Sequence, residues 1–270
     1  MTETRSLPDA AAHAAAGVET SLDGPVLTVT LNRPEVRNAQ TPAMWRALAS
    51  VGRSVPADVR VVVLRGQGQS FSAGLDRAML APDGIEGELS FTDMAGLSAD
   101  HVDEVIAGYQ EGFSWWRDPR FVSVAVVQGH SVGAGFQLAL ACDLRVLADD
   151  AQLCMRETAL GLVPDLGGTK PLVDLVGYAR ALEICATSRW VGAEEASHLG
   201  LANVVVPRGE LDSTVADLVA ALTTPMHDAV TSLKALLQGA TVRTYDEQRD
   251  AERSAQADRI GSLVRLLNPS

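Results

Sequence analysis

QGHSVGAGFQLALACDLRV, residues Gln128–Val146, and CMRETALGLVPDLGGT, residues Cys154–Thr169, decide how this chain is read. The first stretch follows a β-branched run, Phe121–Val127, that predicts a buried strand. A turn of small residues comes next, and a helix is expected from about Ala134 to Cys142. Gly133, Ala134 and Gly135 leave room for a ligand to approach the backbone closely. A helix that begins there aims unpaired N–H groups and the positive end of its dipole at whatever binds. The second stretch sets two acids, Glu157 and Asp165, beside another glycine-rich turn. Polarising amides next to two carboxylates suit proton transfer beside an activated carbonyl.

Composition narrows the field. The chain has 270 residues, 47% hydrophobic and 21% charged, which suits one large domain with a sizeable core. No apolar run is long enough to predict a membrane span. The first residues, MTETRSLPDAAAHAAAG, lack the basic and apolar segments of a secretory signal, so a cytoplasmic protein is expected. A net charge of -12 makes nucleic acid and anionic membranes poor partners. Cys142, Cys154 and Cys185 are dispersed in apolar sequence without a CxxC pair, so neither a disulfide framework nor a zinc site is expected. His13, His101, His198 and His227 form no metal pattern, and neither a Walker loop nor a dinucleotide fingerprint is present.

Working outward, Val18–Leu22 and Val26–Leu31 alternate around Asp23-Gly24 and predict a hairpin. Thr41-Pro42 opens a helix reaching about Ser54, with a cap residue and a proline at its first position. Val59–Arg65 predicts a strand, residues 77–98 an irregular flap, Ala99–Arg117 a helix, and Leu144–Leu147 a short strand. Past about Ala193 helices are expected over Gly209–Leu222, Met226–Gln238 and Thr241–Leu267. Strand pairs alternating with helices favour an α/β fold with right-handed crossovers. Residues 1–17 are expected to be a flexible arm, 18–200 the core and 201–270 a C-terminal helical segment.

With LNRPEVRNAQ (Leu31–Gln40) and GQGQSFSAGLD (Gly66–Asp76), the two opening stretches make four motifs in order that resemble the crotonase superfamily, the enoyl-CoA hydratase/isomerase family, from about Val18 to the C-terminus. The resemblance implies a spiral of ββα units and a C-terminal helical segment that packs on neighbouring subunits of a homotrimer, often paired into a hexamer. It implies an acyl-CoA substrate, with coenzyme A part of that substrate and no separate cofactor. It makes the amides of Leu75 and Ala134 the oxyanion donors, the latter in a position usually held by glycine.

In hydratases of the family two glutamates hold the water that adds across the double bond. The first falls on Gln137, an amide, which cannot act as a base but can orient water or substrate. The second falls on Glu157. Asp165, eight residues later, has the spacing of family members that isomerise dienoyl-CoA or other unsaturated thioesters. Related dehalogenases use an aspartate there as nucleophile, but their aromatic pocket is not evident in this sequence. The resemblance further places Arg33, Arg37, Ala39, Ala73, Asp76, Gly133 and Gln137 along the substrate, and Lys234 near the coenzyme phosphates.

Plainer roles compete. Asp165 would N-cap a helix at Gly167-Gly168-Thr169, Glu157 would pair with Arg156 at the surface, and Gln137 would satisfy buried backbone groups. Arg33 and Lys234 would be solvated charges, and His130 a packed neutral residue. The leading expectation is an enoyl-CoA isomerase working through Leu75, Ala134, Glu157 and Asp165. An enoyl-CoA hydratase and a non-catalytic acyl-CoA binding protein are the alternatives.

Overall fold

A computed structural model describes residues 7–267. In chain order the elements are α1 (Ala10–Ala15), the hairpin β1 (Val18–Asp23) and β2 (Val26–Leu31), α2 (Pro42–Arg53), β3 (Val61–Gly66), α3 (Phe91–Ala95), α4 (Ala99–Ser114), β4 (Val122–Val127), β5 (His130–Val132), α5 (Ala134–Ala141), β6 (Leu144–Ala148) and β7 (Gln152–Cys154). Then follow α6 (Thr169–Thr187), β8 (Val191–Gly192), α7 (Ala193–His198), β9 (Val204–Val206), α8 (Leu211–Thr223), α9 (His227–Ala240) and α10 (Tyr245–Leu267).

Six strands form the main sheet in the order β1-β2-β3-β4-β6-β9. β1 is antiparallel to β2 and every other pairing is parallel. The inner strands are covered on both faces, which is why β3 and β4 are rich in valine and do not alternate apolar with charged residues. Side-chain alternation divides them. Val62, Leu64, Ala125, Val127 and Leu147 join the large core with α2 and α5. Val61, Val63, Val124, Val126 and Val146 pack against Leu211 and Val215 of α8. The hairpin turns on Gly24-Pro25, one residue later than its sequence signal, with Gly24 at φ +52°.

A second sheet, β5-β7-β8, runs beside the glycine-rich segments. α2 is capped by the Thr41 side chain, which accepts from the Met44 amide. α4 lies close across it because Gly112 has no side chain: a methyl group there would meet the Trp45 carbonyl oxygen at 2.6 Å. The expected flexible arm is not what residues 7–17 form. Leu7 and His13 are buried, α1 packs on β1 and α2, and His13 Nε2 is 3.0 Å from Ser50 Oγ. Residues 1–6 of that arm lie outside the described residues.

Candidate active site

The LNRPEVRNAQ and GQGQSFSAGLD loops are joined by two buried amide side chains. Asn38, at φ +54°, donates from Nδ2 to the carbonyls of Gln67 (2.9 Å), Ser70 (2.9 Å) and Phe71 (3.1 Å). Its Oδ1 accepts from the Arg33 amide at 2.8 Å. Asparagine tolerates the left-handed conformation better than most residues, so it supplies turn and clasp together. Gln40 donates to Ser72 Oγ at 3.0 Å and accepts from Trp45 Nε1 at 2.8 Å. Its backbone binds Gly74 O (2.7 Å) and the Asp76 amide (2.8 Å), which fixes the peptide units on either side of Leu75.

The same loop docks on β5, where the Ser72 amide donates to His130 O and the Val132 amide to Ser72 O. A methyl group on Gly74, at φ +82°, would collide with the Val132 carbonyl oxygen and lie 3.6 Å from the Ala134 nitrogen. The glycine therefore brings the Leu75 segment against the start of α5. Gly133 makes the sharp entry into that helix at φ +51°, ψ -119°, a conformation open to glycine. Ala134 is the first helical residue and has no left-handed backbone to accommodate, so alanine fits there without strain. Its N–H has no acceptor one turn back. Neither it nor the Leu75 N–H donates to any group among the described residues. Two amides without an acceptor on touching segments are donors available to a bound oxygen.

Glu157 sits on a short 3-10 turn, Glu157–Leu160, and is only 8% exposed. It is not the surface partner of Arg156. Its Oε1 accepts from Gln137 Nε2 at 2.7 Å, and its buried Oε2 has no partner among the described residues. Burial pushes the Glu157 carboxyl above the usual carboxylate range. The Gln137 hydrogen bond opposes that push, and nearby Asp165 adds to it. Asp165 is half-buried, and burial likewise raises its carboxyl. It does not cap α6, whose N-cap is Gly168 with no side-chain bond. Its carbonyl instead accepts from Gln110 Nε2 of α4 at 2.6 Å. Gln137 is 1% exposed, and its Oε1 takes the amides of Leu166 (2.9 Å) and Gly168 (3.2 Å).

These groups face one cavity of about 800 Å³. Leu75, Gly133, Ala134, Gln137, Glu157 and Asp165 all line it, as do Arg37 and Ala73. The rest of the wall is largely apolar and holds an aromatic set that the sequence does not announce. Trp45, Phe91, Tyr109 and Trp190 come from four separate segments, with the Trp45 and Tyr109 rings 4.8 Å apart. His130 also lines the cavity, edge-on to Trp190 at 5.5 Å. The expected irregular flap is in part helical. Asp76 caps a turn over Arg77–Leu80, and Ser90 and Asp93 form a capping box at the start of α3. The Arg46–Glu88 ion pair fastens the flap to α2.

Arg33, Ala39, Asp76 and Lys234 do not line the cavity. The Arg33 guanidinium donates to Ala39 O (2.6 Å) and to the Asp76 carboxylate (3.0 Å), bracing the loops from behind. Lys234 is not a solvated charge, because its ammonium is committed to three acceptors within the chain. It is buried and donates to the carbonyls of Asp118 (2.7 Å) and Phe121 (2.6 Å) and to the Asp143 carboxylate (2.7 Å). Burial lowers its ammonium and Asp143 opposes the shift. Periodicity marks position 234 only as helical; the three acceptors come from the segments that lead into β4 and β6. Lys234→Met leaves Asp143 without its cation. The expected cost is about 3 kcal/mol in denaturant unfolding, with thioester KM unchanged. A raised KM at unchanged stability would restore the coenzyme contact.

Among the described residues no group of three or more His, Cys, Asp or Glu side chains is placed to hold a metal, and no helix is long and apolar enough to cross a membrane. A family model for enoyl-CoA hydratase/isomerase matches residues 22–263. The chain is 31% identical over 225 residues to the peroxisomal Delta(3,5)-Delta(2,4)-dienoyl-CoA isomerase of Arabidopsis thaliana, covering 82% of this chain and 80% of that one. It is 35% identical over 221 residues to the mitochondrial enzyme of that name from Homo sapiens, covering 80% of this chain and 66% of that one. A Thermobifida fusca YX protein named as an enoyl-CoA hydratase and solved with CoA superposes with a TM-score of 0.91 at 48% identity, over 96% of this chain and 98% of that one. With its mixed α/β core, its C-terminal helical segment and its match across most of its length, this chain belongs to the enoyl-CoA hydratase/isomerase family and has the crotonase fold.

Proposed function

We propose that the protein is an enoyl-CoA isomerase that shifts a double bond through an enolate. One observation carries the reading. Two carboxylates raised by burial, Glu157 and Asp165, share a cavity with the free Leu75 and Ala134 amides, while the position of the first hydratase glutamate holds Gln137. The thioester oxygen sits between the two N–H groups. A carboxylate removes a proton from C2 of a 3-enoyl-CoA, and the charge moves onto the oxygen the amides stabilise. A proton then returns at C4 and the double bond comes to lie between C2 and C3. A carboxyl held above its ordinary range is a better partner for both transfers at neutral pH. Arg37 and Ala73 lie toward the coenzyme end. No cofactor is needed besides the coenzyme A of the substrate. The exposed Leu233, Leu237, Ile260 and Leu263 of α9 and α10 support packing of the C-terminal segment against further copies in a homotrimer.

The name of the Thermobifida protein favours a hydratase instead, and one assay separates the two. Incubated with a 3-enoyl-CoA in deuterated water, the protein is expected to take up deuterium and move the double bond without adding water, as read by mass. Rapid formation of a hydroxyacyl-CoA from a 2-enoyl-CoA, with no isomerisation, defeats the proposal. Because both acids are raised, kcat/KM is expected to fall on acidification at a pH above the usual carboxylate range.

A further inference from the structure

We infer that Gln137 is a positioning residue that selects which oxygen of Glu157 carries the proton and holds both acids in register with the oxyanion hole. The amide can sit only one way round. Its Oε1 accepts from two backbone N–H groups, Leu166 at 2.9 Å and Gly168 at 3.2 Å, and only an oxygen can do that. The NH2 group is therefore forced toward Glu157, where it meets Oε1 at 2.7 Å. An oxygen already accepting that bond is the poorer place for a proton, so protonation falls on Oε2. That is the buried oxygen with no partner among the described residues.

The side chain also ties three parts of the site together. Gln137 lies one turn after Ala134 on the same helix, so it is rigidly related to that oxyanion donor. Its Oε1 holds the turn that follows Asp165 directly, and its Nε2 holds Glu157. Room for it exists because Gly168 has no side chain: a methyl group there would lie 2.7 Å from Gln137 Cγ. A glutamate at 137 would also accept from both backbone amides but would confront Glu157 with a second acid. The neutral amide supplies a donor without adding charge.

Burial raises the Glu157 carboxyl most, and Asp165 adds to the rise; the backbone N–H of Glu157 itself, then the Gln137 side chain and the Arg156 N–H, oppose it by favouring the charged form. Cys154 of β7 and Cys185 of α6 feel the Glu157 charge, and burial keeps both thiols raised. Arg156, adjacent in the chain, turns to Ser188 O at 3.4 Å. Removing the Gln137 donor should therefore move Glu157 upward.

The kinetic half of this inference rests on the isomerase reading; the titration half does not. The test compares wild type with Gln137→Met, which keeps the volume and loses the amide, and with Gln137→Glu, which keeps the two backbone bonds. Carbon-13 NMR of glutamate-labelled protein, with the Glu157 resonance assigned by its loss in Glu157→Gln, follows the carboxyl directly. The expected result is an upward shift of the Glu157 midpoint in both variants. Double-bond migration is expected to turn over about 100-fold more slowly in them, at a KM within about threefold of wild type. A Glu157 midpoint unmoved in either folded variant overturns the inference, whatever reaction the protein catalyses. Slower turnover with an unmoved midpoint does the same, because it would mean that Gln137 only supports the fold. A shifted midpoint in a protein that hydrates supports the positioning role and defeats only the isomerase reading.

Discussion

Glu157→Gln is expected to slow double-bond migration by about 10³-fold in kcat, the usual worth of a positioned acid or base, with little change in KM. Glutamine keeps the shape and can still meet Gln137, so the loss falls on proton transfer and not on binding. The same variant should be more stable than wild type at neutral pH. Burial raises the Glu157 carboxyl in the folded protein above its unfolded value. A carboxyl raised in that sense favours the folded state below the unfolded pKa, and the benefit disappears as pH rises toward and through the folded pKa. At neutral pH the buried charge is therefore a burden that a neutral amide removes. A higher Tm together with a collapsed kcat is the signature of a functional carboxylate held at the expense of stability. Turnover only about tenfold below wild type would remove Glu157 from the chemistry.

Gly74→Ala should have the second-largest effect. A methyl group there must displace the Val132 carbonyl or the loop itself, and φ +82° is strained for alanine in either case. Either movement separates the Leu75 amide from the Ala134 amide. Loss of one oxyanion donor typically costs about 3 kcal/mol of barrier, which slows turnover by roughly 10²–10³-fold. Gly24→Ala is the matched control. Gly24 also has positive φ, +52°, but nothing lies within 4 Å of the added methyl group. It should lose stability of about 1 kcal/mol and keep its kcat. If Gly74→Ala turns over like wild type, the Leu75 amide is not a donor in the reaction.

The site is assembled from short-range and long-range devices, and they are legible to different degrees. Gly133-Ala134 can be read as a helix entry because a turn of small residues before an apolar run is a local signal. The acids can be placed near it through family spacing. The competing roles for Glu157 and Asp165 are also local in kind, and the fold removes them. Arg156 faces Ser188, and Gly168 takes the cap position. For Gln137 the plain reading and the functional one both hold. It satisfies two buried backbone amides and in doing so aims its donor at Glu157.

Local conformation, and the face each side chain takes, follow from the order of residues alone. Alternation along β3 and β4 divides two cores, Thr41-Pro42 starts α2, and glycines such as Gly24, Gly74 and Gly133 take positive φ in the turns. These depend on neighbours a few residues away, so pattern carries them. Packing had to settle the rest. Asn38 clasps a loop some thirty residues distant, Trp45, Phe91, Tyr109 and Trp190 meet in one cavity, and Lys234 is buried on Asp143 and two carbonyls. A buried amide or ammonium takes its meaning from the acceptors that replace water around it. Those acceptors come from segments that only the packed sheet brings together.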